Sequence, residues 1–302
     1  MNTDVYEDLR PLMFSIAYRM LGSVSEAEDV VQEAFLRLHR EPRQVQSPKA
    51  WLSTTTTRLA IDQLRSARAR RETYVGEWLP EPLLTSGDET SRHAEVADSL
   101  STAFLVLLEN LSPVERAVFL LREVFDYPYD QIAEIVGKSQ DNVRQLAVRA
   151  RRRVDERRPR FDASREERDE LARRFFAAAE EGDLEGLESM LAQDAVLHGD
   201  GGGKVPALAR PVHGRARVAK VLMGWVRQAV TFGLEVRMVE VNGQPGEMTL
   251  DEEGAIVNVV SLDIADGQVQ GVNSIVNPDK LRHLGPVADV RALLRSVSER
   301  RR

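Results

Sequence analysis

Six polar side chains in one short stretch, Gln140, Asn142, Arg144, Gln145, Arg149 and Arg152, recur at spacings that gather them on the free side of a helix. Amides and guanidiniums held on one rigid rod suit hydrogen bonding to base edges and phosphates. Such a rod needs a platform. Val143, Leu146, Ala147, Ala150 and Val154 form an apolar stripe that can be buried, Ser139 can cap the start, and Gly137 suits a left-handed turn before it. Upstream, Pro128 opens a shorter helix that would bury Ile132, Ala133 and Val136. The arrangement predicts a helix-turn-helix, although an αα-hairpin with a solvated basic face would read the same way from this stretch alone.

Three further strings carry polar or unusual chemistry. Glu77-Trp78-Leu79-Pro80-Glu81-Pro82 places a tryptophan and a leucine between prolines in an otherwise aperiodic stretch. Leaving them in water forfeits about 2 kcal/mol of burial each, so they are expected to dock on something. Asp200-Gly201-Gly202-Gly203-Lys204 and Asn277-Pro278-Asp279-Lys280-Leu281 offer charged contacts beside backbone that can turn sharply. The first is a flexible hairpin tip on a plain reading, and it lacks the spacing of a phosphate-binding P-loop. His198, Asp200 and His213 are the residues an acid–base catalyst in this half would use.

Composition narrows the classes. The 302 residues allow two or three domains, and 42% hydrophobic with 29% charged residues is a globular balance. No apolar run reaches the roughly 18 residues of a membrane span, and the first ten residues are too acidic for a signal peptide. Without cysteine there are no disulfides or thiolate metal sites, which fits a reducing cytoplasm, and neither a metal nor a cofactor is expected. A net charge of −7 confines any DNA contact to local arginine clusters and suits a protein partner elsewhere.

The elements around these residues follow in order. A helix over 5–21 stops at Gly22, and Ser25 with Glu28 reads as a capping box for a second helix burying Ala27, Val30, Val31, Ala34, Phe35 and Leu38. Asp29, Gln32, Glu33 and Arg37 point away from that stripe. Ser47 and Pro48 start a third helix, in which Trp51, Leu52, Leu59 and Leu64 face inward and Arg58, Asp62, Gln63, Arg65 and Arg68 form a polar side. Leu100, Ala103, Phe104, Leu107, Leu108 and Leu111 make another stripe, and Ser112, Pro113 and Glu115 cap the next helix. Beyond residue 160, helices are expected at 165–181, 184–191 and about 215–228. Strand-like runs at 234–241, 255–263 and 268–276 are punctuated by Asn242-Gly243, Glu253-Gly254 and Asp266-Gly267, as hairpins of a curved antiparallel sheet would be.

Residues 99–153 resemble the fourth region of bacterial sigma factors, and the string AEDVVQEAFLRLHR at 27–40 looks like their second region. Nothing between them resembles region 3 and no acidic extension precedes them, as in the compact extracytoplasmic-function (ECF) type. The phrase FFAAAEEGDLEGLESMLAQDAVLHGDGGG resembles SnoaL-like members of the NTF2-like cone fold, and the three charged or Pro-bounded strings together resemble the ECF subgroup with a fused SnoaL-like domain. The resemblance implies a multidomain protein: two all-α sigma domains, 1–72 and 98–160, a linker at 73–97, and an α+β cone at 165–302. It implies a sigma factor, not an enzyme, whose partners are core RNA polymerase and promoter DNA. Gln140, Asn142, Arg144, Gln145, Arg149 and Arg152 would read the −35 element. Arg43, Gln44, Lys49, Arg58, Asp62, Arg65 and Arg68 would hold the −10 element, with Arg58 standing where the pattern often has Asn. Asp29, Gln32, Glu33 and Arg37 would bind polymerase.

The cone would regulate in cis through Trp78, Leu79, Pro80, Asp200, Gly201, Gly202, Gly203, Lys204, Asn277, Pro278, Asp279, Lys280 and Leu281, touching the sigma domains and linker. It would sense an unknown small ligand more readily than do chemistry. On this reading Trp78→Ala or Asp200→Ala changes transcription without changing the fold of either part. A helix-turn-helix regulator with a ligand-sensing or cyclase/isomerase-like C-terminal domain is the alternative, and it leaves the capped helix at 27–40 without a purpose.

Overall fold

The computed structural model describes residues 3–41, 45–71, 73–85, 99–156 and 164–300, with backbone alone at 3–5, 67–71 and 296–300. They form two compact units, Met1–Thr73 with Phe104–Arg158, and Tyr74–Ala103 with Pro159–Arg302.

The first unit is helical. Its N-terminal half holds α1 (Thr3–Leu21), α2 (Val24–Arg40) and α3 (Pro48–Arg71), and its C-terminal half α4 (Thr102–Leu108), α5 (Pro113–Phe119), α6 (Tyr129–Val136) and α7 (Gln140–Asp155). Caps set the boundaries. Ser112 and Glu115 close a reciprocal capping box on α5, Gly137 ends α6 at φ +65°, and Ser139 accepts from the Asn142 N–H to start α7. Two expectations need correcting. Ser23, not Ser25, caps α2, because its Oγ lies 3.2 Å from the Glu26 N–H, while Glu28 turns to Arg10 at 2.6 Å. In α6 the second core residue is Ile135, with Ala133 and Val136 half-buried against that core. Ile132 and Ile135 sit three apart, a spacing that also keeps two side chains on one helix face.

The second unit holds α8 (Arg165–Glu181), α9 (Leu184–Met190) and α10 (Arg215–Phe232) with six strands: β1 (Leu191–Asp200), β2 (Val212–His213), β3 (Glu235–Val241), β4 (Gln244–Leu250), β5 (Ile256–Ala265) and β6 (Gln268–Ile275). The order is β2-β1-β6-β5-β4-β3. The expected antiparallel sheet is mixed, since β1 pairs parallel with β6 and the other neighbours run antiparallel. β4 escaped the sequence reading because Pro245 and Gly246 open it, residues that normally argue against a strand. Pro245 is accommodated because it pairs only with Glu240 on β3, and pairing with β5 begins at Gly246. α8 and α10 close over one sheet face on a core that includes Phe175, Leu187, Leu197, Val218 and Leu262. Two short helices end the chain, α11 (Pro278–Leu281) and α12 (Val290–Arg300).

Candidate nucleic-acid interface and linker clamp

α7 presents its polar side to solvent. Gln140, Asn142, Arg144, Gln145, Arg149 and Arg152 are all exposed, while Val143, Leu146, Ala147, Ala150 and Val154 are buried beneath them. The Arg144 guanidinium lies 3.6 Å from Asp141 and 5.7 Å from the centre of the Tyr129 ring, which braces it. Arg152 lies 3.7 Å from Glu156. These pairs are exposed and weak, so phosphate can replace them. At the base of α7, Arg153 reaches Glu115 at 3.1 Å, a structural tie that fixes the helix on α5 and holds the Glu115 carboxyl below its usual range together with the Ser112 hydrogen bonds. Sequence reasoning passed over Val148, which is 68% exposed on the same side as Gln145 and Arg152. An exposed methyl-bearing side chain there suits contact with a thymine methyl.

On α2, Asp29, Gln32 and Arg37 are exposed and Glu33 is half-buried, with Glu33 and Arg37 paired at 2.7 Å. Leu36, also missed, is 41% exposed beside them. On α3, Lys49, Asp62 and Arg65 are exposed, and Asp62 pairs with Arg65 at 2.9 Å. Arg43 and Gln44 lie outside the described residues, as does the Arg68 side chain. Arg58 is engaged otherwise: its guanidinium donates to the Glu134 and Ile135 carbonyls at 2.8 and 2.9 Å, the last turn of α6. Ser53 Oγ lies 2.7 Å from Tyr127 Oη, and buried Arg116 donates to the Arg19 carbonyl at 3.0 Å. The two halves of the helical unit are therefore folded against each other through α3, and the Thr56 and Thr57 hydroxyls on α3 are buried without a hydrogen-bond partner.

In the second unit the linker is part of the fold. Leu79 is 1% exposed and Pro80, Glu81 and Pro82 are buried. Asp200, 0% exposed at the end of β1, accepts from the Tyr74 hydroxyl at 2.5 Å, the Leu79 N–H at 2.9 Å, the Gly202 N–H at 3.0 Å and Lys280 Nζ at 2.5 Å. Lys280 also donates to the Leu79 carbonyl and sits 4.4 and 4.9 Å from the Trp78 and Tyr74 ring centres. Burial and the Asp200 carboxylate push the Tyr74 phenol well above its usual value, so it stays a donor. Asn277 caps α11 and donates to the Tyr74 oxygen at 2.7 Å, and Lys204 pairs with Asp279. The glycines answer to space: a Cβ on Gly202 would meet Asn277 Nδ2 at 2.3 Å, and one on Gly203 would meet Val75 at 2.9 Å, both at positive φ. Thus Trp78, Leu79, Asp200, Lys204, Asn277, Asp279 and Lys280 converge on one clamp. Asn242, at the β3–β4 turn, holds the linker further along by accepting from the Leu83 N–H and donating to the Leu100 carbonyl, a pair of contacts that the turn signal Asn-Gly did not advertise.

His198 lies on the linker side of the sheet, its Nδ1 2.7 Å from Glu77, and His213 is exposed on the short β2. A cavity of about 420 Å³ lies in this unit, and His198, Asp200 and His213 do not line it. Asp263 is buried with one oxygen on Asn273 at 2.8 Å, and burial raises its pKa. Among the described residues no cluster of side chains could hold a metal ion, and no helix is long and apolar enough to cross a membrane.

Comparison with known proteins agrees with this layout. The Sigma-70 region 2 family matches residues 5–70, Sigma-70 region 4 matches 101–154, and the SnoaL-like domain matches 172–261. The chain is 37% identical over 291 residues to the ECF RNA polymerase sigma factor SigJ of Mycobacterium tuberculosis, covering 93% of each chain. It is 32% identical over 276 residues to the probable ECF RNA polymerase sigma factor SigI of the same species, covering 90% of this chain and 92% of the other. The crystal structure of the M. tuberculosis extracytoplasmic function sigma factor SigJ superposes with a TM-score of 0.77 at 34% identity, over 95% of this chain and all of that one. Two sigma regions in order, a cone after them and relatives matched almost end to end place this chain in the family of ECF RNA polymerase sigma factors.

Proposed function

We propose that this chain directs core RNA polymerase to specific promoters, with residues 1–72 binding polymerase and the −10 element, 98–160 reading the −35 element, and the cone at 165–302 acting in cis through the linker at 73–97. The observation that carries the reading is the exposed amide and guanidinium face of α7, mounted on a capped and fully buried stripe. The face formed by Asp29, Gln32, Glu33 and Arg37 supplies the polymerase contact, with Leu36 as an apolar anchor.

The helical unit also supports regulation. A unit of this size has a radius of gyration of about 14 Å. Two promoter elements about 25 base pairs apart are separated by roughly 85 Å of duplex. The two halves must part before both are read, and Arg58 must leave the α6 carbonyls before it can touch DNA. We infer a closed form held by α3 against α5 and α6. The linker runs between those halves in sequence, and its grip on the cone is the handle through which the cone biases the opening. His198 and His213 serve structure in this reading, and the cone has no catalytic role.

Run-off transcription with core polymerase tests the function. The chain should yield promoter-specific transcripts and shift promoter DNA only when polymerase is present. A chain that shifts the DNA alone and gives no transcript is a helix-turn-helix repressor instead.

A further inference from the structure

The cavity of about 420 Å³ in the second unit is walled by apolar groups from three helices, among them Phe175 of α8, Trp225 of α10 and Leu293 of α12. Its volume falls in the range of small-molecule sites. The sheet side is different. Thr249 and Asn258 are direct cross-strand partners on β4 and β5, and Glu247 lies two residues along β4 on the same face, so the three polar groups form one corner of a chamber whose other polar lining side chains are Gln228 and Ser274. Asn258 Oδ1 has no hydrogen-bond partner and is covered by protein in this arrangement, so rotation about the side-chain bonds is what turns it into the chamber. A buried acceptor left unpaired costs stability that a ligand donor would recover. Among the described residues no Lys, Arg or His lines the cavity, so nothing in it would neutralise an anion.

We propose that the cone binds a compact, uncharged, largely apolar molecule that carries a hydroxyl or N–H at one end, with that donor placed on Asn258 Oδ1 beside Glu247 and Thr249 and the apolar body against Phe175, Trp225 and Leu293. Burial raises the Glu247 carboxyl to about 8, with the nearby Glu180 charge adding to it. At neutral pH Glu247 is therefore a neutral donor and acceptor, and the corner presents no net charge. The site does not depend on polymerase binding, and a direct binding measurement separates its fate from that of the transcriptional reading.

The test titrates the full chain with N-phenyl-1-naphthylamine, a neutral fluorophore with a single N–H, and with 8-anilinonaphthalene-1-sulfonate, which has the same rings and a sulfonate. The neutral probe should saturate at one site per chain, with the sulfonate at least about tenfold weaker. Asn258→Leu should weaken the neutral probe about five- to tenfold, the worth of one hydrogen bond. Ala179→Trp, which fills the chamber, should abolish its binding in a chain whose circular dichroism is unchanged. Glu247→Gln should bind at pH 7 like the parent but keep its affinity as the pH rises past about 8, where the parent loses it. Non-saturating binding, equal affinity for the sulfonate, or Asn258→Leu binding at parental strength would overturn the proposal. If Ala179→Trp does not fold, Asn258→Leu decides alone.

Discussion

Replacing Asp200 by alanine removes the acceptor on which four donors converge, one of them a buried lysine. Lys280 is 6% exposed, and without the carboxylate its charge loses a buried counter-ion while keeping the Leu79 carbonyl and the faces of Tyr74 and Trp78. Breaking a buried pair by deleting one partner costs about 3–5 kcal/mol, against a domain stability of about 5–15 kcal/mol. Lys280→Met is the milder change. Asp200 would keep the Tyr74 hydroxyl and the Leu79 and Gly202 N–H groups, so its charge stays hydrogen-bonded and the loss should be about 1–3 kcal/mol. The double variant should cost less than the sum of the singles by about 2 kcal/mol or more. Urea unfolding followed by tryptophan fluorescence measures this. A Trp51→Phe background leaves Trp78 and Trp225, both in the second unit, as reporters. If Asp200→Ala costs under about 1 kcal/mol, if Lys280→Met costs more than Asp200→Ala, or if the two are additive, the clamp does not work as described. The same burial corrects the expectation that Asp200→Ala leaves the fold untouched.

Arg144→Ala and Arg149→Ala should weaken recognition of the upstream element by about 1–3 kcal/mol where a base is read, and uniformly across sequences with a shallower salt slope where a phosphate is held, both by fluorescence anisotropy with holoenzyme. Unchanged promoter affinity in both rejects the α7 assignment. Charge reversal at Asp29 and Glu33 should lower core affinity and make the remainder less salt-sensitive, and a folded double variant binding like the parent contradicts the α2 assignment. Arg58→Ala removes two hydrogen bonds from α3 to α6 and should lengthen the distance between dyes on α2 and α7; an unchanged distance excludes the closed form. Glu247→Gln should stabilise the chain more as pH rises. With the folded carboxyl near 8 and an unfolded value of 4.5, the contribution of this group is fully present below 4.5 and falls by roughly 2–4 kcal/mol as pH climbs towards 8, Glu180 being the charged group beside it, so a constant difference in Tm between pH 5 and 8.5 contradicts the assigned burial.

The helical half was legible because each signal there is local. Ser139, Gly137 and the α7 stripe act within a few residues, and Ser112 with Glu115 closes its box inside one turn. The contacts of Arg58 were out of reach for the opposite reason: its partners lie 76 and 77 residues away, and no periodicity reports a side chain that caps a distant helix. The linker illustrates the same limit. Trp78 and Leu79 signalled that something must cover them, but Asp200 and Lys280, more than 120 residues further on, supply the cover. The cavity was invisible, because Glu247 lies in the strand that Pro245 and Gly246 disguised.

β1 joins the two features of the second unit. Consecutive residues on a strand face opposite ways, so Gly199 lines the cavity while its neighbour Asp200 grips the linker. Their partners on β6 are Ser274, which also lines the cavity, and Ile275. A Cβ at Gly199 would stand 3.1 Å from Leu208, another lining residue, so the strand has little slack on that side. A molecule that presses on this wall would push on backbone shared with Asp200, and a tenfold preference for one clamp geometry would be worth about 1.4 kcal/mol to the linker equilibrium. That is comparable to the Arg58 hydrogen bonds between the helical halves, so the proposed occupancy of the cavity and the proposed opening of the sigma unit would be matched in scale.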